Sequence, residues 1–202
     1  MTTSRQDPPT FQWTVPGFGA LLLRPLDPDG DAAVVHSWVD DERARFWGMV
    51  GHTREQVREV YAYLDSLTTH HAHLLLREGE PVALFQTYQP EHDPLGEHYP
   101  VQDGDFGVHL LIAPTTGEPR PGHTAVLIGA LLAAVLTDRG VRRIVAEPDS
   151  RNEASIARLR RTGFQPGPEV QLEHKRARLL FLAREDAERF CAEVLPAAPV
   201  PS

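Results

Sequence analysis

Cysteine is all but missing: the 202-residue chain holds one, Cys191. A lone thiol excludes a disulfide framework and any paired-cysteine zinc or redox site. Lying close to the tail, it does not read as a nucleophile either. Long apolar runs are also missing. The longest, Ala125 to Leu136 with Gly129 as its one interruption, falls short of the ~20 residues that span a bilayer. The opening stretch MTTSRQDPPTFQW carries no apolar signal core, so a cytoplasmic location is expected. Positive charge is in deficit, with 20 Lys and Arg against 28 Asp and Glu and a formal net charge of −8. That balance argues against nucleic acid and anionic membrane as partners, though a local basic groove for a phosphorylated ligand is compatible with it. What is present is globular: 41% hydrophobic and 24% charged residues exclude an intrinsically disordered chain, and the length suits one domain.

Residues 1–10 are polar and contain Pro8 and Pro9, and residues 195–202, LPAAPVPS, form a proline-rich tail. Both ends are expected to be flexible, leaving residues 11–194 as a single domain. Within it, helical and extended patterns interleave. GFGALLLRPL (17–26) reads as a strand. Residues 31–47 carry Val34, Val35, Trp38 and Val39 at helical spacing and then a charged DDERAR stretch. Thr53 caps a second helix whose face is Val57, Val60, Tyr61 and Leu64. HLLLREGEPVALFQTY predicts a hairpin turning at Glu78-Gly79-Glu80-Pro81. DFGVHLLIA predicts an apolar strand, and TAVLIGALLAAVLTDRG a core helix closed by Gly140. A buried strand VRRIVAEPD, a helix NEASIARLRRTGF, two strands near 169–172 and 175–182, and a short acidic helix complete the order. Only some of these connections are strand–helix–strand crossovers, so the expectation is an α/β (α+β) fold on a mixed sheet and not a wholly parallel one.

Two regions carry candidate chemistry. The Pro/Gly loop TTGEPRPGHT precedes the core helix, and its backbone N–H groups, with Arg120 and His123, suit a phosphate. An ordinary strand-to-helix turn would look the same. His109 stands alone in an apolar strand, where a hydrogen-bonded core imidazole and a catalyst are both compatible with the pattern. The next buried strand ends in Glu147 and Asp149. If the two strands are parallel neighbours, an acidic side chain reaches the imidazole, the pairing that general acid–base work needs. These carboxylates also read as strand-end caps, and Ser150-x-x-Glu153 as a capping box. The HHxH cluster His70, His71 and His73 lacks an accompanying cysteine or paired acid at zinc spacing, so no metal is expected. Arg158, Arg160 and Arg161 read as a solvated helix face, one of which could meet a phosphate, and Asp40, Asp41 and Glu42 as a solvated helix end that could attract an ammonium.

Four stretches extend the reading: HSWVDDERARFWG, YQPEHDPLGEHYPVQDGDFGVHLLI, VAEPDSRNEASIARLRRTGF and EVQLEHKRARLLFL. Spread over residues 34–183, they resemble the GNAT acyltransferases, and within them the siderophore-biosynthesis branch that acylates N-hydroxylated lysine, ornithine or cadaverine. The resemblance implies a mixed, mostly antiparallel sheet of about seven strands, flanked by about four helices and splayed between its fourth and fifth strands, with the pantetheine arm of acyl-CoA (acetyl- or succinyl-CoA) lying in the gap. His109 and Asp149 match the catalytic pair, and either could be the base. Leu111, Ile112, Arg120, Gly122, His123, Thr124 and Asn152 match cofactor-binding positions. Trp38, Trp47 and Glu147 match positions lining the acceptor pocket. The phosphate loop departs from the usual Q/R-x-x-G-x-G/A, with Pro119 and Thr124 in flanking slots, and Leu159 occupies the slot of a tyrosine that often protonates the departing thiolate. The implied activity is hydroxamate formation on an N-hydroxylated amine such as N-hydroxycadaverine or N6-hydroxylysine, by a monomer or weak homodimer. An aminoglycoside 6′-N-acetyltransferase and a non-catalytic GNAT-like binding module are the alternatives.

Overall fold

The computed structural model describes residues 10–114, 122–196 and 199–201. Alternation builds its first strand, β1 (Phe11–Val15), where Phe11, Trp13 and Val15 are buried and Gln12 and Thr14 face out. β2 (Gly19–Pro25), β3 (His70–Arg77), β4 (Glu80–Tyr88) and β5 (Asp105–Ile112) follow as successive antiparallel neighbours. β6 (Arg143–Ala146), β7 (Gln165–Gln171), β8 (Arg176–Ala183) and β9 (Val200–Pro201) complete a sheet of order β7-β8-β6-β5-β4-β3-β2-β1-β9. Only β5 and β6 run parallel among these pairings. The mixed, mostly antiparallel sheet expected from the sequence therefore forms. The strands not anticipated are β1 and β9, both short, and β9 sets Val200 and Pro201 opposite Gln12 and Phe11.

The helices are α1 (Ala32–Val39), α2 (Arg54–Ser66), α3 (His123–Val135), α4 (Glu153–Arg161) and α5 (Arg184–Val194). Residues 31–47 do not make one helix. Asp41 adopts an extended conformation, its side chain accepts from the Arg43 amide at 2.8 Å, and a separate 3-10 helix, Glu42–Trp47, starts there. Asp40 accepts from Gly51 N–H at 2.8 Å, so these acids hold the chain's turns. α2 begins as predicted, in a reciprocal box of Thr53 and Gln56. α4 is capped by Asn152, whose Oδ1 accepts from Ser155 N–H, and not by Ser150.

Each sheet face has its own cover. Val35, Trp38, Val39, Val57 and Tyr61 of α1 and α2 pack with Leu74, Leu84 and Leu111. On the other face, α3 packs with Leu75, Phe85 and Val108, and Phe190 and Val194 of α5 lie against that core. Side chains alternate along β5, so His109 shares the α1–α2 face with Leu111. Trp38 is a correction: the period that buries Val35 and Val39 buries it too, at 6% exposure, and it lines none of the cavities described below.

The parallel pair positions the site. Pairing of β5 with β6 ends at Gly107 opposite Val145, and beyond it the strands part. Below the parting, Arg143 donates two hydrogen bonds of 2.7 Å to Asp105, whose side chain is fully buried. Tyr99 Oη–H and the Gln102 amide donate to the same carboxylate. This clamp closes one end of the gap.

Candidate active site

The parted strands open a cleft of ≈ 430 Å³ that His109, Glu147, Asp149 and Asn152 all line. His109 Nε2 lies in hydrogen-bond contact with Glu147 Oε1. The carboxylate that meets the imidazole is thus Glu147, not Asp149. Asp149 faces the same cleft, but its oxygens accept from Arg151 Nε and Nη2 at 2.9 and 2.8 Å and from the Arg151 amide. The strand-end cap reading describes its contacts.

Glu147 is 4% exposed and heavily bonded. Tyr88 Oη–H donates to Oε2 at 2.6 Å, and Lys175, the only lysine in the chain, places Nζ 3.3 Å from Oε1. Burial pushes the carboxyl pKa up, but attraction to His109, then the His109 hydrogen bond and the Lys175 ammonium, outweigh it and bring the pKa down to about 2. Tyr88 shows the converse: burial, then the neighbouring Glu147 charge, holds its phenol well above the ordinary value. It is a fixed donor. Gly107 makes room for it, because a Cβ there would sit 2.1 Å from the Tyr88 ring.

An ionised Glu147 can only accept, so the ring nitrogen facing it carries hydrogen. The other nitrogen, Nδ1, lies 3.1 Å from Gln86 Oε1, and Gln86 Nε2 is 3.4 Å from Tyr61 Oη. Trp47 presents its edge to His109 at 6.2 Å between centroids and donates from Nε1 to Tyr61 Oη at 3.2 Å. Of the two tryptophans expected at a pocket, Trp47 alone lines the cleft. A second cavity of ≈ 390 Å³ adjoins the first, and Gln86 and His109 line both. The imidazole therefore stands where two chambers meet.

The open edge of β5 suits an extended, amide-bearing chain. The Ala113 amide donates to the Val82 carbonyl at 2.9 Å, so by alternation residues 109 and 111 bond to β4 while Val108, Leu110 and Ile112 turn their backbone groups into the gap. Ile112 therefore fits a cofactor-arm role, whereas the backbone of Leu111 is committed to β4. A chain laid here would add as a strand. At the outer end Arg43 Nη1 donates to the Ile112 carbonyl at 2.9 Å. The Arg158 guanidinium lies close enough that burial, then repulsion from Arg161 and Arg43, lowers its pKa. α3 starts at Gly122, φ +77°, without a side-chain cap, so the amides of His123 and Thr124 open its first turn. Arg120 lies outside the described residues. These features fit an arm ending in phosphates. Leu159 lines the cleft as an apolar wall. Among the described residues no group of three or more His, Cys, Asp or Glu is placed to hold a metal ion, and no helix is long and apolar enough to cross a membrane.

Gln86, Tyr88 and Lys175 had not been singled out from the sequence. Gln86 and Tyr88 sit in an ordinary-looking hairpin strand, and Lys175 stands inside EVQLEHKRARLLFL with no role of its own. The chain's scarcity of lysine was the one available signal.

The mixed sheet parted between β5 and β6 has the form expected of an acyltransferase fold. The comparisons agree. The acetyltransferase (GNAT) domain family matches residues 27–172, and the chain belongs to that family, whose acetyltransferases use acyl-CoA. It is 30% identical over 178 residues to N(6)-hydroxylysine O-acetyltransferase of Escherichia coli, covering 86% of this chain and 54% of that protein. It is 26% identical over 184 residues to the lysine N-acyltransferase MbtK of Mycobacterium sp. (strain MCS), covering 89% and 74%. The chain thus spans about half the length of the first relative and about three quarters of the second. Among solved structures, an uncharacterized protein from Bacillus halodurans superposes with TM-score 0.84 at 24% identity, over 93% of this chain and 97% of that one. The aminoglycoside acetyltransferase AAC(6')-Ib in complex with coenzyme A gives 0.71 at 23%, over 84% and 98%. At these identities the structural likeness speaks for the fold.

Proposed function

We propose that this protein transfers an acyl group from acyl-CoA to the nitrogen of an N-hydroxylated amine, forming the hydroxamate of a siderophore. The acyl-transfer part rests on one observation: His109, held by Glu147, stands where the β5–β6 gap meets a second chamber. The acceptor part is supported by the two curated relatives, whose names specify hydroxylysine and lysine.

In this reading Glu147 fixes Nε2–H, the acceptor nitrogen takes the place of Gln86 Oε1 beside Nδ1, and the hydrogen-free Nδ1 takes its proton as the C–N bond forms and the thioester C–S bond breaks. The proton then passes to the departing thiolate. A hydroxylamine nitrogen is less basic than an alkylamine, so it arrives neutral and nucleophilic near pH 7. Outward N–H groups of Val108, Leu110 or Ile112 are the donors available to the thioester oxygen as charge develops. Holding both substrates in adjoining chambers supplies much of the remaining advantage. Asp149 and Arg151 shape the cleft mouth.

The test is thiol release from acetyl-CoA and succinyl-CoA with N-hydroxycadaverine, N6-hydroxylysine, cadaverine and kanamycin as acceptors. A ferric-complex colour assay on the product separates N-acylation, which gives an iron-binding hydroxamate, from O-acylation. Turnover confined to the hydroxylated amines with ferric colour is the expected result. Turnover on kanamycin alone would make the protein an aminoglycoside acetyltransferase. Silence with every pair, from folded protein that binds no CoA, would make it a non-catalytic module.

A further inference from the structure

The second chamber has a composition of its own. Its floor is a row of rings: His109 and Tyr88 lie 5.1 Å apart between centroids, and Tyr88 stacks on His70 at 5.8 Å and 16°. Leu64 and Leu67, at the end of α2, supply apolar wall. At the far end stands Asp93, whose Oδ2 is 3.4 Å from His70 Nε2 and whose Oδ1 accepts from the Leu95 amide at 2.8 Å. The Asp93 side chain is 25% exposed, so it is neither sealed off nor fully solvated.

Charge is what discriminates here. Asp93 is the one carboxylate among the described residues lining the chamber, and no arginine or lysine lines it. The chain's single lysine is engaged at Glu147 in the other cleft. The register spaces the two ends. His109 is opposite Gln86, and His70 is opposite Tyr88, two residues further along. Two strands across and two residues along put the His109 and His70 backbones about 12 Å apart. Side chains reaching inward from both leave room for a linker of several carbons.

We infer that this chamber is the acceptor's tail site and that it selects an N-hydroxylated diamine: an alkyl linker along the ring row, a distal ammonium on Asp93, and no carboxylate beside that ammonium. The inference rests on the acyl-transfer reading for the position of the reacting nitrogen at His109. An amino-acid tail brings an α-carboxylate into a chamber that offers no permanent cation and already holds a carboxylate. That carboxylate would be desolvated without a partner. A charge-assisted ammonium–carboxylate contact of this kind changes affinity by about tenfold to a hundredfold.

The experiment compares kcat/KM for N-hydroxycadaverine, N6-hydroxylysine and N-hydroxypentylamine, which share a reacting end and differ in the tail, using wild type and Asp93→Asn. Asparagine keeps an acceptor for the Leu95 amide, so the local turn survives. Wild type is expected to favour the diamine at least tenfold over each of the others. Asp93→Asn should bring the diamine-to-pentylamine ratio to about one. A wild-type preference for N6-hydroxylysine, or a diamine preference that survives Asp93→Asn, would overturn the inference while leaving acyl transfer intact. Calorimetric titration with cadaverine itself needs no acyl donor and keeps the two readings apart. Binding by wild type that is lost in Asp93→Asn supports the chamber even if every turnover assay is silent, and no binding by wild type refutes it.

Discussion

Replacing Glu147 by glutamine keeps the shape of the side chain and removes its charge from the centre of the site. The structure sets the expected cost. Burial alone would raise the carboxyl pKa, yet His109, Lys175 and Tyr88 hold it at about 2 against the ordinary 4.5. That difference corresponds to about 3 kcal/mol by which the native fold favours the ionised form. Because the folded value lies below the unfolded one, this stability is fully present above pH ~4.5 and is lost as pH falls toward ~2. Denaturant melts of wild type and Glu147→Gln should therefore differ by about 3 kcal/mol at pH 7, and by less than half of that near pH 3. In thiol-release assays the variant should lose at least about a hundredfold in kcat, with KM for acyl-CoA changed by less than about threefold, because the imidazole loses its orientation while the open β5 edge is untouched. A stability difference under about 1 kcal/mol at pH 7 would refute the electrostatic argument. Undiminished kcat would refute the positioning role.

Four further outcomes follow from the same geometry. Asp149→Asn should reduce kcat by less than Glu147→Gln does, since Asp149 bonds Arg151 and the comparison isolates which carboxylate serves His109; equal losses in parallel kinetics would restore Asp149 to the pair. Gly107→Ala puts a methyl 2.1 Å from the Tyr88 ring, so the ring must leave Glu147, with an expected cost of about 1–3 kcal/mol in a thermal or chemical melt and a fall in turnover. Asp105→Asn leaves the partly exposed Arg143 guanidinium without its charge partner and with weakened hydrogen bonds to a buried side chain, and about 2–3 kcal/mol should be missing from the unfolding free energy in a denaturant melt. Burial, then the nearby His71, lowers the His73 pKa to about 4; the fold excludes a proton that the unfolded chain accepts, so stability falls as pH drops from ~6.5 to ~4, by up to about 3 kcal/mol, and His73→Leu should flatten that slope.

How far the sequence carried the reading depended on whether a feature is local. The Thr53 cap, the hairpin through Glu78-Gly79 and the apolar β5 strand are written in consecutive residues, and they form where their patterns placed them. The break at Asp40–Asp41 is also local: the apolar spacing of Val34 to Val39 points on toward Glu42–Arg45, which suit a helix, but through two aspartates that favour caps and turns. It took a side-chain acceptor at Asp41 to start the 3-10 helix instead. Trp38 and Trp47 looked alike as aromatic markers. Only the packing of α1 separates the core residue from the one at the cleft.

The partner of His109 is a different kind of unknown, because it depends on the register of two strands far apart in the chain. The pairing sets Asp105 opposite Arg143 and Gly107 opposite Val145, a constant separation of 38 residues. Continued two residues past the last pair, the same separation carries His109 to Glu147, which is the contact that forms. Side chains two residues apart on a strand share a face, so the salt-bridge clamp, the glycine under Tyr88 and the imidazole all point to the α1–α2 side in one row. A slip of one residue would turn Glu147 to the opposite face and uncouple Asp105 from Arg143 at the same stroke. The buried clamp at the closed end of the gap and the dyad at its open end are thus two readings of one register. Whatever strengthens the first holds the second in place.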